Sequence, residues 1–323
     1  MSRQDILALL GTDWDRTLAL IRASLHSDVG LLEETNGRIL ANSGKLLRPM
    51  MALLLARAVA GAASDDSIRF AAATELLHNA TLLHDDVADG SAERRGRPTV
   101  AALMGPSAAV LVGDYWLARA VELVVDAAHC REAIPVFSRT LTDLAEGEML
   151  QLEKASSADT TEEDYLRIIH CKTASLFCAA AQTAALSVDA PEPRRQAARD
   201  FACAFGTAFQ IKDDILDYTG TPELGKPVGT DLRERKITLP LLGALQGSPQ
   251  EAEIRRMVRE IPAHPDYCGQ IRRFVEERDG IAYAASRLEQ WVARARQALE
   301  AFGDSPARDA LRDIADYTIW RQV

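Results

Sequence analysis

Apolar side chains recur at intervals of three and four along almost the whole chain, and alternating runs rich in Val, Ile and Thr are scarce. A repeat near 3.6 belongs to a helix with one face turned to a core, so the pattern predicts an all-α protein. It divides into helices over residues 3–26, 29–41, 47–62, 65–89, 106–127, 131–155, 161–187, 192–218, 232–246 and 249–261, with two or three more to the end. The connections are short and no low-complexity linker divides the chain, which predicts one domain over residues 1–323.

Two of these helices end alike. Asp85-Asp86-Val87-Ala88-Asp89 precedes Gly90, and Asp213-Asp214-Ile215-Leu216-Asp217 lies just before Gly220. Positions i and i+4 share a helix face, so Asp85 sits beside Asp89 and Asp213 beside Asp217. Like charges repel there, and the negative end of the helix dipole disfavours them further. A solvated acidic face would account for one such cluster; two, at corresponding helix ends, point to bound cations. Ligand sets made only of oxygen favour Mg²⁺ over zinc or iron. Beyond each cluster come basic residues on loop backbone, Arg94, Arg95 and Arg97 in 90–98 and Lys226 in 219–229. Mg²⁺-holding carboxylates with Arg and Lys nearby form a site for a polyphosphate. No Gly-rich strand-to-helix phosphate loop is present, so the phosphates must rest on side chains and metal.

Composition narrows the classes. The 323 residues are 47% hydrophobic and 26% charged, which suits a packed core rather than disorder. Net charge is −10 and the basic residues form no long run, which argues against a nucleic-acid partner. Cys130, Cys171, Cys178, Cys203 and Cys268 show no paired metal-ligand spacing, as expected of reduced thiols in a cytoplasm. The N-terminus lacks a secretory apolar stretch, and no apolar run approaches the ~20 residues that span a bilayer, so a cytoplasmic protein is expected.

Taken in order, these residues resemble the trans-isoprenyl diphosphate synthases, the polyprenyl synthetase family, along the whole chain. The resemblance implies a single large helical bundle of the isoprenoid synthase type with a central apolar cavity. Gly44-Lys45-Leu46-Leu47-Arg48-Pro49 is similar to the family's Gly-Lys-x-x-Arg-Pro element, which implies that Lys45 and Arg48 bind the diphosphate of isopentenyl diphosphate. His78 matches a third contact to that group. Asp85, Asp86 and Asp89 match the first aspartate-rich motif as metal ligands. Arg94 and Arg95 match an arginine pair, one facing the allylic diphosphate and the other isopentenyl diphosphate. Gly113-Asp114-Tyr115 and Gly147-Glu148-x-x-Gln151 resemble elements of a mainly structural kind. Lys172, Thr173, Gln210, the second cluster of Asp213, Asp214 and Asp217, then Lys226 and Lys236, match the second half of the site, with Asp213 and Asp217 as metal ligands. Arg235 departs from the family pattern, standing where glycine is usual.

The resemblance also implies a reaction. About three Mg²⁺ ions between the two clusters would neutralise a departing diphosphate, aided by Arg94, Lys172, Lys226 and Lys236, and an allylic cation would form. Lys45, Arg48, Arg95 and His78 would hold isopentenyl diphosphate with its double bond facing that cation. The released diphosphate, rather than a protein base, would take the proton, and His84 is expected to pack or support rather than catalyse. The implied primer is geranyl or farnesyl diphosphate, the implied assembly a homodimer, and a water-insoluble product suggests transient membrane contact for its release.

A growing chain must enter the apolar interior, and its depth sets product length. At ~1.5 Å per residue, Thr81 and Ala80 lie about 6 and 7.5 Å upstream of Asp85 on one helix. Both are small, and residues 78–86 resemble octaprenyl-type synthases rather than the farnesyl type with its bulky aromatic. A hexaprenyl to decaprenyl product is therefore expected, with Leu76, Leu77, Leu123 and Val124 as a deeper floor; a short-chain farnesyl or geranylgeranyl synthase is the alternative. Rivals from other classes fare worse. Glu75-x-x-His78 suits a di-metal redox bundle, but that needs two copies and none of the other five histidines has a Glu three residues before it. A terpene cyclase would not repeat Asp-Asp-x-x-Asp. A non-catalytic partner subunit of a heteromeric synthase would be expected to have lost carboxylates, and all six are present.

Overall fold

The structure is a computed structural model and describes residues 1–220 and 229–321. Helices cover Arg3–Leu10 (α1), Thr12–Ser24 (α2), Gly30–Ala41 (α3), Leu47–Ala60 (α4), Asp65–Ala88 (α5), Val100–Met104 (α6), Pro106–Val125 (α7), Cys130–Ser157 (α8), Glu162–Ile169 (α9), Ser175–Leu186 (α10), Glu192–Thr219 (α11), Thr230–Arg233 (α12), Leu239–Leu245 (α13), Glu251–Glu260 (α14), Tyr267–Glu277 (α15), Gly280–Ala298 (α16) and Pro306–Trp320 (α17). Among the described residues the only strands are β1 (Glu93–Arg94) and β2 (Arg97–Pro98), an antiparallel pair with Arg94 opposite Arg97. The fold is all-α, as the periodicity predicts.

Three predicted helices are interrupted, each for a local reason. The 3–26 helix breaks at Gly11, whose φ of 52° glycine adopts without cost. The 232–246 helix is in fact two, α12 and α13, because a continuous one would bury Pro240 in its interior and drive its ring against the carbonyl of Lys236. Pro240 sits instead in the first turn of α13, where a missing N–H is harmless. The 161–187 helix contains one π-helical turn, His170–Ala174.

The residues group into two compact units, whose boundaries fall inside α8, α10, α11 and α17 and in the 3-10 turn Leu299–Ala301. The first comprises Met1–Ser138, Ala179–Arg199 and Ala301–Leu311. Its core helix α4 is apolar on every side between Arg48 and Arg57, with Met50, Met51, Leu53, Leu54 and Leu55 buried. Helix α5 packs against α7. The two approach closely because a β-carbon on Gly113 would lie 2.4 Å from His84 Nε2. The start of α5 is fixed by a capping box in which Ser64 Oγ accepts from Ser67 N and Ser67 Oγ accepts from Ser64 N, with Ser67 Oγ also 2.6 Å from Ser187 Oγ. Next to it, His129 bridges Asp66 (Nδ1 to Oδ2, 2.6 Å) and Asp189 (Nε2 to Oδ1, 3.2 Å).

The second unit comprises Arg139–Cys178, Asp200–Glu300 and Arg312–Val323. An aromatic cluster from α10 and α11 forms part of its core, with Phe177 and Phe205 edge to face at 5.1 Å and Phe201 and Phe209 on either side of Phe205. Among the described residues no helix is long and apolar enough to cross a membrane.

Candidate active site

In the first unit, two loops are stitched together around basic residues. Leu46 takes a left-handed conformation (φ 53°) that turns the chain into α4, with Lys45 exposed before it and Arg48 in the first turn. Arg95 is left-handed too (φ 54°), at the tip of the β1–β2 hairpin, and its Nη1 donates to the carbonyl of Asn42 at 2.9 Å. The guanidinium lies over Gly44, where a β-carbon would stand 2.6 Å from Nη2. Glycine at 44 is therefore what lets Arg95 reach the loop that carries Lys45 and Arg48.

Helix α5 closes this cradle from below with Glu75 and His78. Burial, then Arg48, Arg95 and Arg94, push the His78 imidazole well below its usual range, so it is neutral at pH 7 and offers one N–H. The buried Glu75 carboxyl is pushed up by burial and drawn back by Arg48, by the 2.9 Å hydrogen bond from Asn79 Nδ2 and by Arg95. Sequence reasoning did not assign Glu75 to this site. Its signal was only its place three residues before His78, on the same helix face.

Two turns further along α5 come the first aspartates. Asp85 is half-buried, and Asp89 is exposed at the C-cap, where Gly90 (φ 62°) ends the helix. Asp86 differs: it is 5% exposed and its Oδ1 accepts from Arg94 Nε at 2.7 Å. Burial raises its pKa while Arg94 pulls it back. Asp86 thus anchors Arg94. His84 packs across Gly113, 3.3 Å from Asp114 Oδ1. Ala80 is wholly enclosed and Thr81 half-buried; Leu76, Leu77, Leu123 and Val124 are buried as well.

In the second unit the π-helical turn carries Lys172 and Thr173. It is squeezed between glycines: a β-carbon on Gly147 would lie 2.5 Å from Cys171 Cβ, and one on Gly206 2.6 Å from Ala174 Cα. Lys172 Nζ pairs with Glu148 and donates to Gln151 Oε1 at 3.3 Å, while Gln151 Nε2 donates to Glu148 at 3.1 Å. From Thr173 a chain of hydrogen bonds runs inward. Thr173 Oγ1 donates to Gln210 Oε1 (2.7 Å), Gln210 Nε2 to Asp214 Oδ1 (2.9 Å), and Tyr165 OH to Asp214 Oδ2 (2.6 Å). Burial, with Asp231 nearby, holds the Asp214 carboxyl well above its usual range, so Asp214 braces Gln210 from inside the protein.

The other two aspartates of this cluster face different partners. Asp213 Oδ1 accepts from Arg321 Nη2 at 2.8 Å. Asp217 accepts the backbone N–H groups of Thr230 (3.1 Å) and Asp231 (3.2 Å), and its own carbonyl accepts from Gly229 N. Asp217 so holds the start of α12; Lys226 lies outside the described residues. Arg235 is left-handed (φ 59°), which explains why glycine suits the position, and Lys236 next to it pairs with Glu234. A cavity of about 170 Å³ is lined by Lys172, Thr173, Gln210, Asp214, Asp231 and Lys236, among others. Asp231, which sequence reasoning passed over, has its carboxyl pushed up to about 7 by burial and by Asp217, against the pull of Lys236.

Leu46, Arg95 and Arg235 are three of six non-glycine residues with positive φ among the described residues. Such strain costs ~1 kcal/mol or more each and gathers at functional sites. Among the described residues no three carboxylate, imidazole or thiol groups converge on one point. Carboxylate pairs such as Asp85 with Asp89 suit Mg²⁺, which takes one or two carboxylates and fills its shell with water and substrate phosphate.

The polyprenyl synthetase family model matches residues 29–275. An all-trans-nonaprenyl-diphosphate synthase (geranyl-diphosphate specific) of Rhodobacter capsulatus is 41% identical over 315 residues, 97% of this chain and 96% of that protein. The crystal structure of a decaprenyl diphosphate synthase from Rhodobacter capsulatus superposes with a TM-score of 0.92 at 37% identity, covering 100% of both chains. A polyprenyl synthase from Caulobacter crescentus, crystallised with calcium and isoprenyl diphosphate, gives a TM-score of 0.90 at 36% identity over 100% of this chain and 98% of that one.

Proposed function

Because the chain belongs to the polyprenyl synthetase family, we propose that it is an all-trans polyprenyl diphosphate synthase, adding isopentenyl diphosphate head to tail onto an allylic primer. The product is hexaprenyl to decaprenyl in length, in keeping with the nonaprenyl and decaprenyl synthases it resembles. The primer is geranyl diphosphate, by analogy with the geranyl-specific relative. The observation that carries this is the layout of α5. His78 belongs to a cationic cradle for one diphosphate, and Asp85 and Asp89 stand seven residues or more further on, ~10 Å along the helix, where a second diphosphate would lie.

By resemblance, Asp85 with Asp89 and Asp213 with Asp217 would hold Mg²⁺, about three ions with substrate bound. Bound Mg²⁺ supplies positive charge against which the allylic diphosphate departs. Arg94, steadied by Asp86, and Lys172 and Lys236, steadied by Glu148 and Glu234, take the remaining phosphate charge. Lys226 joins them by resemblance. Thr173 and Gln210, braced by Asp214 and Tyr165, orient the same group. Lys45, Arg48, Arg95 and neutral His78 fix isopentenyl diphosphate so that its double bond meets the allylic carbon. The new C–C bond leaves a tertiary cation, and a proton passes from it to the released diphosphate. The protein works as a homodimer in the cytoplasm, with transient membrane contact as product leaves.

The test is incubation of the purified protein with geranyl diphosphate, labelled isopentenyl diphosphate and Mg²⁺, followed by chromatographic sizing of the lipid. A discrete long prenyl product, abolished by chelator, is expected. A product ending at geranylgeranyl would keep the chemistry and overturn the length; no elongation from geranyl or farnesyl primer would overturn the reaction itself.

A further inference from the structure

The chain end returns to the second aspartate cluster. Arg321 directly follows α17, is 4% exposed, and donates from Nη2 to Asp213 Oδ1 and to the carbonyl of Phe209, each at 2.8 Å. Its guanidinium carbon stands 4.1 Å from the centre of the Phe209 ring. Lys212 Nζ donates to the carbonyl of Ile319 at 2.8 Å, so the same stretch of α11 grips the chain end at a second point.

Phe209, Asp213 and Asp217 recur at four-residue intervals and share one face of α11. Arg321 therefore lies along the very stripe that carries the aspartates. A mobile surface arginine would be a competitor for the cation. This one is fixed by a carboxylate, a carbonyl and an aromatic face, and it is enclosed, so it stays in place. Groups that hydrogen-bond a ligating side chain set its orientation and so its grip on metal. We propose that Arg321 is a positioning residue for the catalytic metal: its hydrogen bond to Oδ1 sets the orientation of Asp213 on the face of α11 that Asp213 shares with Asp217. This rests on Asp213 being a Mg²⁺ ligand, as assigned above.

The experiment uses the full chain and its variants Arg321→Met and Arg321→Lys, with Mn²⁺ plus inorganic pyrophosphate as probe and water-proton relaxation as the readout of bound metal. Arg321→Met should bind Mn²⁺ about tenfold more weakly. Its half-saturating Mg²⁺ in turnover should rise by a like factor, with KM for isopentenyl diphosphate unchanged. Arg321→Lys, which keeps a cation but not the fork, should recover most of the Mn²⁺ affinity. Wild-type Mn²⁺ affinity in Arg321→Met overturns the proposal, as does a loss matched by an equal rise in the isopentenyl KM and not rescued by lysine. Should Arg321→Met lose its helical circular dichroism, Phe209→Leu, which removes the ring beneath the guanidinium, replaces it: weaker Mn²⁺ binding is expected and an unchanged affinity overturns the idea. Failure of the underlying metal assignment would look different, since Asp213→Asn would then keep the wild-type Mn²⁺ affinity.

Discussion

A β-carbon added to Gly44 would meet Nη2 of Arg95, the far end of a flexible side chain, at 2.6 Å. The guanidinium can swing away, so the fold bears little of the cost and the cradle bears most of it. Gly44→Ala should leave thermal stability nearly unchanged and raise KM for isopentenyl diphosphate about tenfold, the worth of one charge-assisted hydrogen bond. KM for the allylic primer should stay put. Steady-state kinetics with each substrate varied in turn would decide it, and an unmoved isopentenyl KM would remove Arg95 from the cradle. At this scale the sequence points to residues proposed to act through their own chemistry, such as Lys45, Arg48, His78 and Asp85. It did not assign Glu75 or Asp231 to the site, because what distinguishes them is enclosure beside charges that arrive from other segments. Asp86 shows the same limit: its neighbours in the motif suggested a metal ligand, whereas Arg94, brought back by the hairpin, claims its carboxylate.

Most of the helices were legible from period, because most bury one stripe of apolar residues. The π-helical turn was not: one extra residue per turn leaves the apolar spacing almost intact, and the turn exists because Gly147 and Gly206 admit it from either side. A second element-scale feature is the clamp at the start of α5. His129 has its pKa raised by its hydrogen bond to Asp66, against some burial and with help from Asp189. Burial lifts the Asp66 carboxyl, but the His129 ring and the backbone N–H groups of Ala128 and His129 outweigh it and leave the pKa lowered. The two signs bound a window. The His129 contribution is whole below the ordinary imidazole value of ~6.5 and fades as pH rises through the raised one; the Asp66 contribution is whole above the ordinary carboxylate value of ~3.9 and fades as pH falls through the lowered one. His129→Ala should thus destabilise by roughly 1–2 kcal/mol near pH 6 and by less near pH 9. Denaturant melts of both proteins at the two pH values measure this, and an equal loss at both would show that the ring contributes packing rather than charge.

Two properties belong to the molecule as a whole. The first is product length. Ala80 is enclosed, 1% exposed, on the helix that ends at the first aspartates. A phenylalanine there must project into whatever space the growing chain uses or overpack the interior, which costs ~1–3 kcal/mol. Ala80→Phe should keep turnover of the first condensations and stop the product several isoprene units early, as read by chromatographic sizing. Product of unchanged length from a well-folded variant would show that the chain grows elsewhere.

The second is assembly. Val110, Leu111, Val121 and Val125 all lie on the outer side of α7, exposed by 38%, 68%, 47% and 51%. Their spacing places them along one stripe, opposite the residues that α7 buries, Val112, Trp116, Ala120 and Leu123. Four exposed apolar side chains around Asp114 in a chain of net charge −10 call for a partner at this outer face, and a second copy of the chain, as in the proposed homodimer, would supply it. Leu111 is the most exposed of the four, so replacing it perturbs the monomer least. Leu111→Arg would bury a charge twice in an isologous contact, once from each copy, where desolvation opposes association. Sedimentation velocity should show the wild-type protein at twice the chain mass and Leu111→Arg at the chain mass, with helical circular dichroism the same in both. A variant that still sediments with the wild type would mean that the dimer forms through another face and that the α7 stripe meets something else.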